Sequence, residues 1–220
     1  MTEFLHSALD LDRSRTSSLG RVTATRAIRV LGLGGSLRDG SQSERALRIA
    51  LAGAEEAGAS TTAITGEALR LPFYDAGDSD RTERASRLVE AVRQADGILV
   101  VSPGYHGALS GLVKNALDYV EDLRHDARPY LHGRAVGLIS VAHGWQAAVT
   151  TLNQLRTIAH ALRGWPTPLG GAVNTAEVKF DEAGGASEQK VENTLRLIGR
   201  QVAEFGHAQL AAGFDRPAQG

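Results

Sequence analysis

The 220-residue sequence contains no cysteine, which excludes disulfides, thiolate metal ligands and a cysteine nucleophile. This absence is in keeping with a reducing compartment, and we expect a cytoplasmic protein. Lysine is scarce as well, since it occurs only at positions 114, 179 and 190. A Walker A loop needs a lysine between a glycine and a serine or threonine at the start of a helix. Binding of a nucleoside triphosphate by that route is therefore excluded.

The sequence also lacks an excess of charge and long apolar runs. With 24 basic and 25 acidic residues the net charge is −1, so no overall field attracts nucleic acid or an anionic membrane. No segment approaches the roughly 20 consecutive apolar residues of a membrane span. The seven histidines follow no metal-binding spacing such as H-E-x-x-H. We therefore expect no nucleic-acid, membrane or metal partner.

Length and composition fit one globular domain, because 42% of the residues are hydrophobic and a chain of this size buries a sizeable core. The first part of the chain is polar and has no clear period, and the last residues resemble a frayed end. We place the folded domain at residues 27–207. A flexible N-terminal arm (1–26) precedes it, and a C-terminal tail (208–220) follows.

Short apolar runs alternate with longer amphipathic stretches throughout this domain. The pattern predicts a doubly wound α/β fold, because strands that alternate with helices pair in parallel through right-handed crossovers. The predicted strands are residues 28–34, 60–65, 97–102, 135–142 and 167–174. Ligands of such sheets bind at the carboxyl ends of the strands. The candidate site is therefore formed by loops 34–43, 102–111 and 141–147.

The first of these loops is rich in hydrogen-bond donors. Gly32 and Gly34 begin a dinucleotide fingerprint, but Leu37 stands where its third glycine belongs, so that interpretation is weak. A helix N-terminus offers free amides and the positive end of the helix dipole, and added hydroxyls and a guanidinium make it a phosphate monoester site. The residues predicted to bind phosphate are Ser36, Arg38, Ser41 and Ser43.

A purely structural interpretation of the same loop stays open. Ser41 and Glu44 match a capping box, in which the hydroxyl serves the helix alone. Arg38 would then be solvated or paired with Asp39.

The second loop carries a longer motif, "SPGYHGALSGLVKNALDYV" at residues 102–120. Together with "GSLRDGS" at 35–41, it resembles the NADPH-dependent FMN reductases of the flavodoxin-like fold, and the resemblance extends over about residues 28–206. It implies a three-layer sandwich with a five-stranded parallel sheet of order 2-1-3-4-5 and helices on both faces. It also implies FMN and NADPH or NADH as cofactors.

The resemblance assigns the flavin phosphate to the hydroxyls and guanidinium of the first loop. It assigns contacts with the flavin ring to Pro103, Gly104, Tyr105, His106 and Gly107. The residue types agree, because the ring needs a flat, partly apolar shelf with a few donors at its polar edge. For His106 alone, an exposed surface position is the alternative. Lys114 and Asp118 have the spacing of an i,i+4 ion pair.

The third loop, "SVAHGWQA" at 140–147, departs from the family pattern. His143 and Trp145 replace small residues on either side of Gly144, and amides of 142–146 would stabilise charge at the pyrimidine edge of the flavin. Trp145 would close over the flavin edge or reach the neighbouring subunit, narrowing the space for a second substrate. The alternative is a core-filling residue at the start of a helix.

The segment "LPFYD" (71–75) matches the loop that follows the second strand in the family. The resemblance places Phe73 and Tyr74 of this loop in the substrate pocket or at a subunit interface. We expect a homodimer, with a tetramer also open.

The function implied by the resemblance is that of an NAD(P)H-dependent FMN reductase. Hydride transfer between stacked rings requires no catalytic side chain, so none is assigned. The electrons would pass to free flavin, to a partner flavin-dependent monooxygenase or to a small acceptor. One alternative is a reductase that retains FMN and reduces quinone, azo or nitro compounds. A second is a non-enzymatic flavodoxin-type electron carrier, although such carriers are usually strongly acidic.

Overall fold

A computed structural model describes residues 26–213, and in this range seven strands alternate with five α-helices. The strands are β1 (Ile28–Gly34), β2 (Ala59–Thr65), β3 (Gly97–Tyr105), β4 (Ala108–Leu109), β5 (Ala135–Ala142), β6 (Trp165–Pro166) and β7 (Gly171–Asn174). The helices are α1 (Gln42–Glu56), α2 (Glu83–Gln94), α3 (Gly111–Asp118), α4 (Trp145–Ala161) and α5 (Gln189–Ala211), with 3-10 turns at Gly66–Leu69 and Tyr119–Leu123. None of these helices combines the length and apolar character of a transmembrane span.

The main sheet is parallel and has the order β2-β1-β3-β5, with β6 and β7 both paired to the far side of β5. In terms of the predicted strands this is the order 2-1-3-4-5, but only residues 171–174 of the predicted fifth strand (167–174) form a strand, and β6 lies before its predicted start. β6 pairs with the start of β5 and β7 with its end. Pro168 lies between them, and since proline has no amide hydrogen it cannot continue a hydrogen-bonded ladder.

Helices cover both faces of the sheet. Side chains such as Leu47 of α1 and Ile198 of α5 form one core, and Leu88 of α2, Val113 of α3 and Leu155 of α4 contribute to the other. The doubly wound α/β fold predicted from the alternating pattern and the three layers implied by the resemblance are thus confirmed. Its central strands are buried on both sides, which is why they read as continuous apolar runs.

Two glycines set the distance between α1 and α5. A Cβ atom on Gly199 would lie 1.8 Å from the carbonyl oxygen of Ala50, and one on Gly53 would lie 2.1 Å from that of Arg196. Carbon and oxygen atoms do not approach so closely without a covalent bond. At these two positions the backbones of α1 and α5 are therefore so close that only the hydrogen atom of a glycine fits between them.

The ends of the described range differ in part from the expected boundaries. α5 continues to Ala211, four residues into the segment expected to be a tail. Arg26, the last residue of the expected arm, donates two hydrogen bonds of 2.6 and 2.7 Å to the buried carboxylate of Asp96. Residues 1–25 of the predicted arm and 214–220 of the predicted tail lie outside the described residues.

Candidate functional site

The three loops singled out in the sequence lie side by side at one edge of the sheet. They follow β1, β3 and β5, which are neighbours in the sheet. The amide of Gly35 donates to the carbonyl of Val101 at 3.1 Å, and Pro103 lies opposite Val141 in the register of β3 and β5. All residues predicted to bind the cofactor therefore stand at the carboxyl edge, as expected for this fold class.

The chain leaves β1 through a turn that requires glycine. Gly34 has φ +143° and Gly35 has φ +91°, values that side chains disfavour. A Cβ atom on Gly34 would also lie 1.9 Å from the carbonyl oxygen of Val101. Gly34 thus allows the first loop to cross closely over β3.

Ser41 caps α1, as the structural interpretation of the motif proposed. Its hydroxyl accepts the amide hydrogen of Glu44 at 3.3 Å. The Glu44 carboxylate accepts from the amide of Gly40 at 3.1 Å, one residue earlier than in a standard capping box. The hydroxyls of Ser41 and Ser43 are 3.1 Å apart, and both residues are buried. These two hydroxyls are therefore engaged within the helix start.

Ser36 and Arg38 behave differently, because they reach solvent. The Arg38 amide donates to the Ser36 hydroxyl at 3.3 Å, while the exposed Arg38 guanidinium has no ion-pair or hydrogen-bond partner within residues 26–213. Its pairing with Asp39 is thus not observed. In the first turn of α1, the amides of Gln42 and Ser43 have no acceptor in that range. A guanidinium group, a hydroxyl and free backbone amides are together the hydrogen-bond donors that bind a phosphate monoester.

The second loop is a tight hairpin between β3 and β4. Tyr105 pairs with Ala108, so His106 and Gly107 form a two-residue turn, and their φ angles of +53° and +83° have the signs of a type I′ turn. Tyr105 and His106 are both exposed at the site. A Cβ atom on Gly104 would lie 2.9 Å from both the Ala142 Cβ and the Thr151 hydroxyl, so glycine lets this strand pack closely against the third loop.

Gln154 of α4 holds this hairpin and was not predicted. Its amide nitrogen donates to the carbonyl of Gly107 at 3.0 Å, and its oxygen accepts from the amide of Leu109 at 3.2 Å. The Gln154 side chain therefore forms hydrogen bonds with backbone groups in the turn and in the strand that follows it. No local signal marks Gln154, which lies far from the loop in sequence.

The third loop orients Trp145 through a chain of hydrogen bonds. Gly144 has φ +114° and immediately precedes α4, and its amide donates to the Asn174 side-chain oxygen at 2.7 Å. The Asn174 nitrogen and the Trp145 indole nitrogen both donate to Glu177 Oε1 at 2.8 Å. Trp145 is 51% exposed, so its interpretation as a core-filling residue is wrong.

Asn174 and Glu177 were also missed. Asn174 ends the predicted fifth strand, and its place at a carboxyl edge is the signal that could have found it. His143 is exposed beside this network. The Gly144 amide, expected to stabilise flavin charge, is already engaged by Asn174.

A family model described as NADPH-dependent FMN reductase matches residues 28–178. The chain belongs to the NADPH-dependent FMN reductase family. It is 35% identical over 146 residues to a protein named NADPH azoreductase from Bacillus sp. strain OY1-2, a match that spans 66% of this chain and 79% of the relative. The chain is accordingly an oxidoreductase with FMN and NAD(P)H as cofactors.

Solved structures agree on the fold of this FMN reductase family member. FerB, a flavoenzyme NAD(P)H:(acceptor) oxidoreductase from Paracoccus denitrificans, aligns with a TM-score of 0.66 and 18% identity over 83% of this chain and 98% of FerB. A flavodoxin, WrbA-like protein from Agrobacterium tumefaciens aligns with a TM-score of 0.58 and 19% identity over 83% of this chain and 99% of its own. The predicted flavodoxin-like fold is confirmed.

In this reductase the loop after β2 is pinned by α3. Asn115 accepts the amide hydrogen of Tyr74 at 2.9 Å and donates to the carbonyl of Pro72 at 2.8 Å. The Tyr119 hydroxyl donates to the same carbonyl at 3.1 Å. Between Tyr74 and Pro72, Phe73 is 92% exposed. The motif residue Asn115 therefore fixes a loop that presents an aromatic side chain to solvent.

Arg81 completes the support of this loop. Its guanidinium stands 4.9 Å from the centre of the Tyr74 ring and donates to both carboxylate oxygens of Asp122 at 2.8 and 2.9 Å. These hydrogen bonds lower the pKa of Asp122. Burial raises the pKa of Tyr74, and the charge of Asp122 adds to that rise. Nearby, Lys114 and Asp118 form the expected i,i+4 pair at 2.6 Å.

Exposed apolar side chains are concentrated at the carboxyl edge of the reductase. Four large exposed apolar residues lie at or after the ends of β1, β2, β3 and β5, namely Leu37, Phe73, Tyr105 and Trp145. Apolar groups gathered in this way mark a binding surface more often than chance.

Proposed function

We propose that this chain binds FMN at the carboxyl edge of the sheet and transfers reducing equivalents from NAD(P)H to a small acceptor. The observation that carries the placement is the free donor set of the first loop, formed by Arg38, Ser36 and the unpaired amides at the start of α1. These groups match the charge and geometry of a phosphate monoester. Ser41 and Ser43 support the site by fixing the helix start.

The other two loops would hold the flavin ring between them. The segment Pro103–Gly107 presents Tyr105 and His106 from one side, while His143, Gly144 and Trp145 border the other. FMN held there would supply a hydride acceptor for NAD(P)H and a two-electron donor for the acceptor molecule. The residues of this chain would bind NAD(P)H and the acceptor and orient them for transfer. The hairpin held by Gln154 and the hydrogen bonds around Glu177 favour a site that is already ordered before these molecules bind.

We infer further that FMN stays bound during turnover and that the acceptor is a small organic molecule. The relative named NADPH azoreductase and the exposed aromatic side chains at the site support this over release of reduced flavin to a monooxygenase. A cytoplasmic location fits a donor such as NAD(P)H.

Flavin retention separates these two functions. We expect that FMN added to the purified protein remains bound after desalting and that anaerobic NADPH or NADH rapidly removes its absorbance near 450 nm, as measured by stopped flow. Loss of flavin on the column would instead support a reductase that uses flavin as a substrate. Flavin that binds yet stays oxidised with both NADPH and NADH would contradict the proposed function altogether.

We also propose that the protein is a homodimer joined partly through Phe73. An exposed aromatic residue on a loop held by Asn115 is a rigid anchor of the kind that carries binding energy at interfaces. The Phe73→Ser substitution is expected to raise the dimer dissociation constant roughly 30-fold. Light scattering after size-exclusion chromatography over a concentration series measures it. Leu197→Ser, at another exposed apolar residue, is the control, and a monomeric parent protein would contradict the proposal.

A further inference from the structure

Trp145 is an exposed aromatic residue that is nevertheless fixed in place. Its indole nitrogen donates to Glu177 Oε1 at 2.8 Å, and the same oxygen accepts from Asn174. Asn174 is buried, and its side-chain oxygen accepts from the amides of Gly144 and Ala176 at 2.7 and 3.0 Å. The indole is thus connected through Glu177 and Asn174 to the backbone of the third loop and to that of the turn after β7.

The indole is also part of an apolar surface that the fold does not use. One turn further along α4, Val149 is 46% exposed, and on the neighbouring hairpin Tyr105 is 53% exposed. Residues four apart on a helix lie on the same face, so Trp145 and Val149 form a short apolar strip beside the candidate flavin site.

We propose that Trp145 is a specificity-determining residue that selects planar aromatic acceptors, and that Glu177 is its positioning residue. This proposal rests on the proposed function, because it names the class of acceptor that reaches the same site. A quinone is the simplest member of the class. With one NAD(P)H and one proton it takes up two electrons and two protons, giving a hydroquinone and NAD(P)+.

The physical basis is stacking on a surface that is already ordered. Offset or edge-to-face contact between aromatic rings adds roughly 0.5–1.5 kcal/mol to simple burial, which corresponds to about a 2- to 10-fold change in affinity. Because the hydrogen bond to Glu177 already restricts the indole, little rotamer freedom is lost when an acceptor stacks on it. An acceptor without a ring gains nothing from this surface.

The first test compares two acceptors in the same variants. For Trp145→Ala we expect KM for a naphthoquinone to rise about 5- to 10-fold relative to KM for ferricyanide, which has no ring to stack, and Trp145→Phe should recover most of the difference. Trp165→Ala is the matched control. Trp165 is similarly exposed (57%) but pairs with Ala135 at the start of β5, away from the site. Equal changes in both KM values, or none, would overturn the proposal.

The second test isolates the role of Glu177. Glu177→Ala should raise KM for the naphthoquinone with little change in kcat, whereas Glu177→Gln, which keeps an acceptor oxygen for the indole, should stay close to the parent protein. A fall in kcat alone, or the same defect in both variants, would contradict a positioning role.

A third measurement does not depend on turnover. The chain has two tryptophans, so Trp145 is the only one left in Trp165→Phe, and Trp165 is the only one left in Trp145→Phe. On the FMN-loaded protein without NADPH, the naphthoquinone should quench Trp145 emission to saturation but quench Trp165 only in proportion to concentration. The reverse pattern overturns the acceptor proposal even if NADPH reduces the flavin. Failure of NADPH to reduce the flavin would instead contradict the proposed function.

Discussion

Replacing Arg38 by alanine is expected to raise the dissociation constant for FMN roughly 10- to 100-fold. The guanidinium is exposed and unpaired within the described residues, so its removal breaks no internal contact. It would remove a charged hydrogen bond to the phosphate, worth about 1.5–3 kcal/mol. Titration of flavin fluorescence measures the affinity. Urea unfolding should change by no more than about 0.5 kcal/mol, as is usual for a surface position.

Two further variants define the origin of the Arg38 effect. Arg38→Lys keeps the charge but loses the planar fork, and we expect it to lie between the parent protein and the alanine variant. Arg87→Ala removes an exposed arginine of α2 that pairs with Glu83, and it should leave FMN affinity unchanged. An Arg38→Ala protein with the affinity of the parent would show that the phosphate binds elsewhere.

Replacing Gly199 by alanine is expected to lower the free energy of unfolding by about 3 kcal/mol, near the upper end of the usual cost of overpacking. The new methyl group would meet the carbonyl oxygen of Ala50 at 1.8 Å. No rotamer change can relieve this contact, because the carbonyl belongs to the backbone of α1 and the methyl carbon is bonded directly to the backbone of α5. Chemical denaturation followed by circular dichroism measures the loss.

Gly111 offers a matched control for this substitution. It lies in the first turn of α3 with open space around its would-be Cβ, so Gly111→Ala should be neutral or stabilise the protein by up to about 1 kcal/mol through helix propensity. Gly53→Ala should resemble Gly199→Ala, because it would meet the carbonyl oxygen of Arg196 at 2.1 Å. Comparable stability in the Gly199 and Gly111 variants would mean that the two helices are not in backbone contact.

Features encoded by neighbouring residues were predicted correctly. The run at 97–102 forms the first six residues of β3, and Ser41 caps α1, as its spacing with Glu44 suggested. The hairpin at His106 and Gly107 was described only as a loop. Its signal was weaker than the usual Asn-Gly, although histidine enters the left-handed region more often than most residues.

Features that depend on distant residues were not predicted. Asn115 reaches Pro72 across 43 positions, and Gln154 reaches Gly107 across 47. The position of Trp145 could not be predicted for the same reason. From the sequence it was equally a core residue or a site residue, and only its half-exposed position and its bond to Glu177 decided between them.

The sequence by itself determined the alternation of strands and helices, the edge of the sheet where the candidate site lies, and the motifs that place the chain among the FMN reductases. These follow from apolar periodicity, turn chemistry and helix capping, which act over a few residues. Only the tertiary structure decided which donors remain free for a phosphate, how closely α1 and α5 approach, and how Trp145 is held. These depend on which side chains meet after the chain has folded, because a hydrogen bond or a steric contact is defined by distance in space.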